Sequence, residues 1–290
     1  MAADLVHYHH PEDHQFSLGF VNPDTDAIEK RLDSYEDATE TRVRTYNPDE
    51  EVYVIYTKTN EVADTEEIEY DFDRAFAEMG PDTRVIVRYL LDLFDSIQKT
   101  KREEESVPLG AYKSIEISRI PAALERVDWS RTVPEVGGQL ASNVILWHAL
   151  PNANHRTAFG MFEGYANASS DSSFRLPSLI TDSYEWQTLV DGFVVDSKRL
   201  LTVRRNVAPF RYLAELGCRT VRRKGGIEIP LCEYDLELHT SEALSEYASR
   251  HEQRTVQFAA TILKKTGNAR LTSESGLTKS EFAGRVRQKI

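Results

Sequence analysis

The stretch richest in reactive side chains is His148–Thr157, which reads HALPNANHRT. An imidazole leads it, an amide follows at Asn154, and a guanidinium follows at Arg156. An imidazole near neutral pH can take a proton from a hydroxyl. A guanidinium offers a planar fork of donors that suits phosphate oxygens. Val144, Ile145, Leu146 and Trp147 precede the stretch as the apolar end of one helix. Ala158, Phe159, Met161 and Phe162 follow it as the apolar face of another. The pattern predicts a short loop between two helices, with Asn154–Thr157 opening the second. The first N–H groups of a helix have no partner within it, and together with the macrodipole they favour an anion. A histidine, an amide and a guanidinium gathered at that mouth suit phosphate chemistry. As local structure alone, His148 and Pro151 make an ordinary helix stop, but a helix stop does not call for Asn154 and Arg156.

The stretch resembles the loop of the Fic/Doc family. There a histidine is followed by an acidic residue at plus four, a small residue at plus five, Asn at plus six and Arg at plus eight. His148, Ala153, Asn154 and Arg156 fall in that register. Ala153-Asn154-His155-Arg156 is nearest to the Doc branch, which has Lys in place of His155. The resemblance implies a transferase that moves AMP, or in Doc a phosphate, from a nucleotide such as ATP to a protein hydroxyl. His148 would be the base, and Ala153, Asn154, His155 and Arg156 would line the phosphate site. It also implies a protein target carrying the acceptor hydroxyl and, for a toxin, an antitoxin. Three positions depart from the pattern. Leu150 replaces a Phe, a change of packing. Asn152 replaces the acidic ligand of Mg²⁺, so an amide oxygen would hold the cation without a charge. His155 changes the room beside the phosphates. In such relatives a β-hairpin flap upstream docks the target as an added strand. Here Gly110–Ser118 is the candidate flap, with Gly110, Tyr112 and Ile115 as docking residues, and a plain edge strand is the competing reading.

The chain has 290 residues and a net charge of −12, with 24 arginines against 11 lysines. An acidic surface poor in lysine fits adaptation to high salt, where screening relieves self-repulsion, and it argues against a generic nucleic-acid binder. No apolar run reaches the ~20 residues needed to span a bilayer, so no membrane partner is expected. The N-terminus lacks the basic start and apolar run of a signal peptide. Two cysteines, Cys218 and Cys232, are too few for a disulfide framework and point to a reducing cytoplasm.

The expected fold is mainly α: a Fic-like helical bundle with small β-hairpins and a C-terminal helical extension. The expected divisions are 1–72, polar with a strand; 73–235, the helical core; and 236–290, helical with a helix-turn-helix candidate. His7, His9, His10 and His14 cluster in what reads as a mobile polar terminus, with a metal site as the alternative. Asp33–Asp49 reads as surface loop or short helix, and Glu51–Lys58 as a strand. Glu69–Met79 reads as a short helix ended by Gly80. Pro81–Thr100 reads as a helix, followed by a charge run, Lys99–Glu105, read as solvated loop. Pro121 opens a short helix over Ala122–Val127. Pro134 looks like the first residue of the helix that delivers His148; Gly137 and Gly138 then lie inside it at a cost of about 1 kcal/mol each, which favours a start after them. Asp182 or Ser183 caps a long helix, and Ala208–Leu216 is a separate short one. Cys218–Cys232 reads as a hairpin around Gly225-Gly226. Its Arg219, Arg222, Arg223 and Lys224 form the most basic patch of the chain. That patch suits an anionic partner such as tRNA, DNA or an acidic protein. Ser241–Thr266 is a helix. In the tail, a Gly276-Leu277-Thr278 turn between two short helical patterns suggests a helix-turn-helix, with Lys279, Arg285 and Arg287 on its second helix as DNA contacts.

Overall fold

A computed structural model of the protein describes residues 5–36, 39–58, 72–105, 113–170 and 184–288. Its strands are β1 (Leu5–His7), β2 (His9–His10), β3 (Asp13–Asn22), β4 (Thr41–Tyr46), β5 (Val52–Lys58), β6 (Thr220–Arg222) and β7 (Glu228–Pro230). Its helices are α1 (Thr25–Asp33), α2 (Phe72–Ala77), α3 (Pro81–Glu105), α4 (Arg119–Glu125) and α5 (Val133–Trp147), then α6 (Asn154–Ser169), α7 (Tyr184–Glu215), α8 (Thr240–Lys265) and α9 (Lys279–Arg287). The architecture is mainly helical with small sheets, as the composition and periodicity predict. No helix among the described residues is long and apolar enough to cross a membrane.

By its contacts the chain forms two interleaved units, residues 1–60 with 195–249, and residues 61–194 with 250–290. This differs from the consecutive divisions at 72 and 235, because α7 and α8 each supply residues to both units.

The first unit is built on two sheets. One is antiparallel in the order β2-β3-β5-β4; in the other β1 runs parallel to β6 and β6 antiparallel to β7. The stretch from His7 to His14, expected to be a mobile terminus, lies in three strands instead, and Thr41–Tyr46, expected to be surface loop or short helix, is an edge strand. The signal is weak for a physical reason. In β3, Phe16 and Leu18 alternate with polar residues, but a bulge between Leu18 and Phe20 breaks the period before Val21. In β4, arginines separate the β-formers, and Val43 is left exposed. Strand β5 is central, and Val52, Val54, Ile55 and Tyr56 are all buried, so it reads as the continuous apolar run expected of a strand covered on both faces. The core joins these strands to Val203, Val207, Phe210 and Leu213 of α7 and to Tyr247 of α8. Helix α7 does not stop before Ala208 as expected. It runs on through a break at Asn206, three residues before Pro209, whose missing N–H and ring disrupt the turn before it. The hairpin around Gly225 and Gly226 is present, both glycines having positive φ.

The second unit is a helical assembly around α5 and α6. Helix α5 is buried nearly all round, from Val133 through Ile145. The Glu135 carboxylate accepts hydrogen bonds from the Thr132 N–H at 3.0 Å and hydroxyl at 2.6 Å, which fixes the start of the helix. Gly137 and Gly138 lie inside this helix, contrary to the expectation from propensity. A Cβ on Gly138 would come within 2.7 Å of the Val256 Cα on α8, and one on Gly137 within 2.7 Å of the Phe162 ring on α6. Close packing on both neighbours outweighs the loss of about 1 kcal/mol in helix propensity per glycine. The charge run Lys99–Glu105 is not a loop but the last turns of α3. Lys and Glu are good helix formers, and Lys99 pairs with Asp95 one turn back at 2.6 Å. The expected cap at Asp182 or Ser183 lies outside the described residues.

Candidate active site around His148

Helix α5 ends at Trp147, and α6 begins at Asn154, so the six residues between form the predicted loop. His148 (φ 48°) and Ala153 (φ 51°) stand at its two ends in the left-handed region. They are the non-glycine residues with positive φ among the described residues. Such a conformation costs a residue with a Cβ about 1–2 kcal/mol, and strain of this kind concentrates where a site requires it.

Polar contacts hold the loop in this shape. Asn154 is buried, and its side-chain amide donates to the carbonyls of Leu150 at 3.0 Å and Asn152 at 3.3 Å. Its oxygen accepts from the Leu150 N–H at 3.3 Å. Both of its N–H donors therefore serve the loop's backbone, and what Asn154 supplies is the shape of the loop. Gln98 on α3 donates to the Asn152 Oδ1 at 2.7 Å. Lys113 donates to the His148 carbonyl and also to Glu116, whose own N–H donates to the Ala149 carbonyl at 2.9 Å. Gln98, Lys113 and Glu116 thus brace the loop from two directions. Nothing in the sequence marks them, since they are ordinary polar residues far from the motif in the chain.

At the mouth of α6 the first intrahelical bond is from the Thr157 N–H to the Ala153 carbonyl at 2.9 Å. The N–H groups of Asn154, His155 and Arg156 precede it. The first turn holds no acidic residue. His148, His155 and Arg156 are half-buried, and they stand on one short stretch of chain, His148 at the start of the loop and the other two in the first turn of α6. The loop does not fit Mg²⁺. The residues from His148 to Thr157 include no carboxylate, and the one amide oxygen at the expected ligand position already accepts the Gln98 N–H. Among the described residues no group of three or more His, Cys, Asp or Glu side chains could hold a metal. The described N-terminal histidines, His7, His9, His10 and His14, form no such group either.

The candidate flap is only partly described. Gly110 and Tyr112 lie outside the described residues. Ile115 is half-buried in an irregular segment, not a strand, and that segment meets the motif loop through Glu116. In the tail the short turn of a helix-turn-helix is not found. Helix α8 stops at Lys265, a single 3₁₀ turn covers Ala269–Thr272, and α9 starts at Lys279 behind a Thr278–Glu281 capping box. Phe282, Ala283 and Val286 of α9 are fully buried, with Phe282 beside Tyr89, Trp129 and Tyr165. Arg285 and Arg287 face outward, and Lys279 is half-buried.

No curated protein and no solved structure matches the chain. A family model matches residues 2–290, almost the whole length. The chain therefore belongs to that family, described as a family of unknown function, DUF8172.

Proposed function

We propose that His148–Thr157 is the phosphate loop of a Fic/Doc-like transferase that moves AMP or phosphate from a nucleotide such as ATP to a hydroxyl of another protein. The observation that carries this reading is the strained loop, bounded by left-handed His148 and Ala153 and opening onto the acid-free first turn of α6. In the proposed step the target's hydroxyl oxygen attacks a phosphorus atom while His148 takes the hydroxyl proton. For AMP transfer the bond to pyrophosphate breaks; for phosphate transfer the bond to the nucleoside diphosphate breaks. Arg156 and the N–H groups at the mouth of α6 offset the negative charge that builds on the phosphate oxygens. Asn154 keeps the loop in shape, and no step passes through a metal. Such an enzyme would work in the cytoplasm as a toxin checked by an antitoxin, or as a regulator.

The experiment is incubation with cell lysate and ATP labelled on either the α- or the γ-phosphate. Label from the α position marks AMP transfer, and label from the γ position alone marks phosphate transfer. Replacing a positioned base should lower the rate by about 10²–10⁴-fold, so His148→Ala should lose the signal. Labelling that His148→Ala leaves intact overturns the proposal. A second reading is a regulator that binds a nucleotide without turnover, with a DNA contact through outward Arg285 and Arg287. It is favoured by the neutral Asn152, held by Gln98. Asn152→Asp separates the two: a transferase short only of its cation ligand gains Mg²⁺-dependent labelling, and a binding module gains none.

A further inference from the structure

The backbone of His148 is held from both sides. Its N–H donates to the Val144 carbonyl at 3.3 Å, which closes the last turn of α5, and its own carbonyl accepts from the Lys113 ammonium. Between these two bonds the residue keeps its left-handed φ of 48° and ψ of 46°. The next carbonyl along, that of Ala149, accepts from the Glu116 N–H at 2.9 Å. Two successive carbonyls of the loop are therefore held by one short segment, residues 113–116.

That segment has a firm footing. The Glu116 carboxylate is shared by the Lys113 ammonium and by Arg119 at 3.2 Å, so it steers a long side chain onto the loop. The Glu116 carbonyl accepts from the Arg119 N–H at 2.9 Å, in a turn that leads into α4. Ile117 and Ile120 are buried there, and α4 packs on α5, the helix whose end is gripped. A lysine suits this place for a second reason. The last carbonyls of a helix have no partner within it and carry the negative end of its dipole, so they favour a cation.

The magnitudes decide what the bond can do. A left-handed residue with a Cβ is disfavoured by about five- to thirtyfold. A hydrogen bond to a charged group favours the conformation that makes it by about ten- to a hundredfold. The second effect is large enough to offset the first. A backbone pinned at both ends fixes the Cα–Cβ direction and leaves only the staggered rotamers to aim the imidazole. We propose that Lys113, steered by Glu116, is the positioning residue for His148, aiming the base without itself touching the substrate. The role rests on the transfer reading above; the backbone geometry that it predicts does not.

The experiment compares Lys113→Met, which keeps the side chain's bulk and removes its donors, with Lys113→Arg, which keeps donors and charge. Selective histidine labelling follows His148 by NMR, where a positive φ gives a strong nuclear Overhauser cross-peak between the residue's own N–H and Hα. Lys113→Met should weaken that cross-peak. It should also lower kcat for transfer about tenfold or more, the scale of the lost bond, with KM for ATP unchanged. Lys113→Arg should restore both. Where Lys113→Met does not fold, Glu116→Gln, which keeps its N–H on Ala149, carries the test and should weaken the cross-peak to a smaller extent. A cross-peak as strong in the variant as in the wild type overturns the proposal. So does a raised KM with kcat intact, which makes Lys113 a nucleotide contact. A wild type that transfers no label sinks the transfer reading, whereas the cross-peak still decides whether Lys113 holds His148.

Discussion

At the scale of single residues, the candidate site depends on side chains that act on backbone as much as on those that would face a phosphate. His148 and Arg156 carry the proposed chemistry, yet Asn154 decides whether the loop exists in its strained form. It satisfies both backbone groups of Leu150, which is 1% exposed, and the carbonyl of Asn152. Asn154→Ala leaves these groups buried and unpaired. Such groups cost about 1–3 kcal/mol, so the variant should lose stability on that scale in denaturant unfolding of the second unit. It should also release His148 from its left-handed conformation, which the backbone chemical shifts of residues 148–153 would register. A loop that keeps its shifts and its stability without the amide would show that Lys113 and Glu116 suffice to hold it. The placing of His148 and Arg156 on one helix–loop–helix stretch follows from local spacing, whereas Gln98, Lys113 and Glu116 come from α3 and an irregular segment and share no local pattern with the motif.

At the scale of elements, the glycine pair in α5 shows a local preference losing to packing. Gly138→Ala should gain up to about 1 kcal/mol of helix propensity. The added Cβ would meet the Val256 Cα at 2.7 Å and N at 2.9 Å, backbone atoms that no rotamer change can move aside. Overpacking of this kind costs typically about 1–3 kcal/mol, so the clash should win and the melting temperature should fall. A rise in melting temperature would mean that α5 and α8 separate at little cost. Elements set by strong periodicity were readable in advance. The expected helix Ser241–Thr266 is Thr240–Lys265, and the expected strand Glu51–Lys58 is Val52–Lys58. Elements that rely on partners were not: β3 needs its bulge and β4 its neighbour β5 before their patterns make sense.

At the scale of the whole molecule, acid lability should begin in the first unit. His7, His9 and His10 are all shifted below the ordinary histidine value of 6.5, burial being the largest cause for each. The unfolded chain therefore binds more protons than the native one between pH 6.5 and the native value, about 3 for His9. Stability from this source is full above pH 6.5 and falls as pH drops through that window. For His9 the slope approaches about 1.4 kcal/mol per pH unit. Denaturant midpoints measured from pH 7 to pH 4 should decline, and His9→Gln should flatten the decline. A slope identical in wild type and His9→Gln would show that His9 takes up its proton without unfolding.

The sequence by itself determined the mainly helical class, the loop between two helices, and the set of residues in that loop that could serve phosphate chemistry. Each of these follows from spacing along the chain, which local backbone geometry turns directly into neighbours. Only the tertiary structure decided that His9 and His10 are buried in a strand, that the chain divides into two interleaved units, and that Asn154 turns its amide inward. Those outcomes depend on contacts between residues far apart in sequence, where the saving from satisfying a buried group or closing a packed interface outweighs local preference.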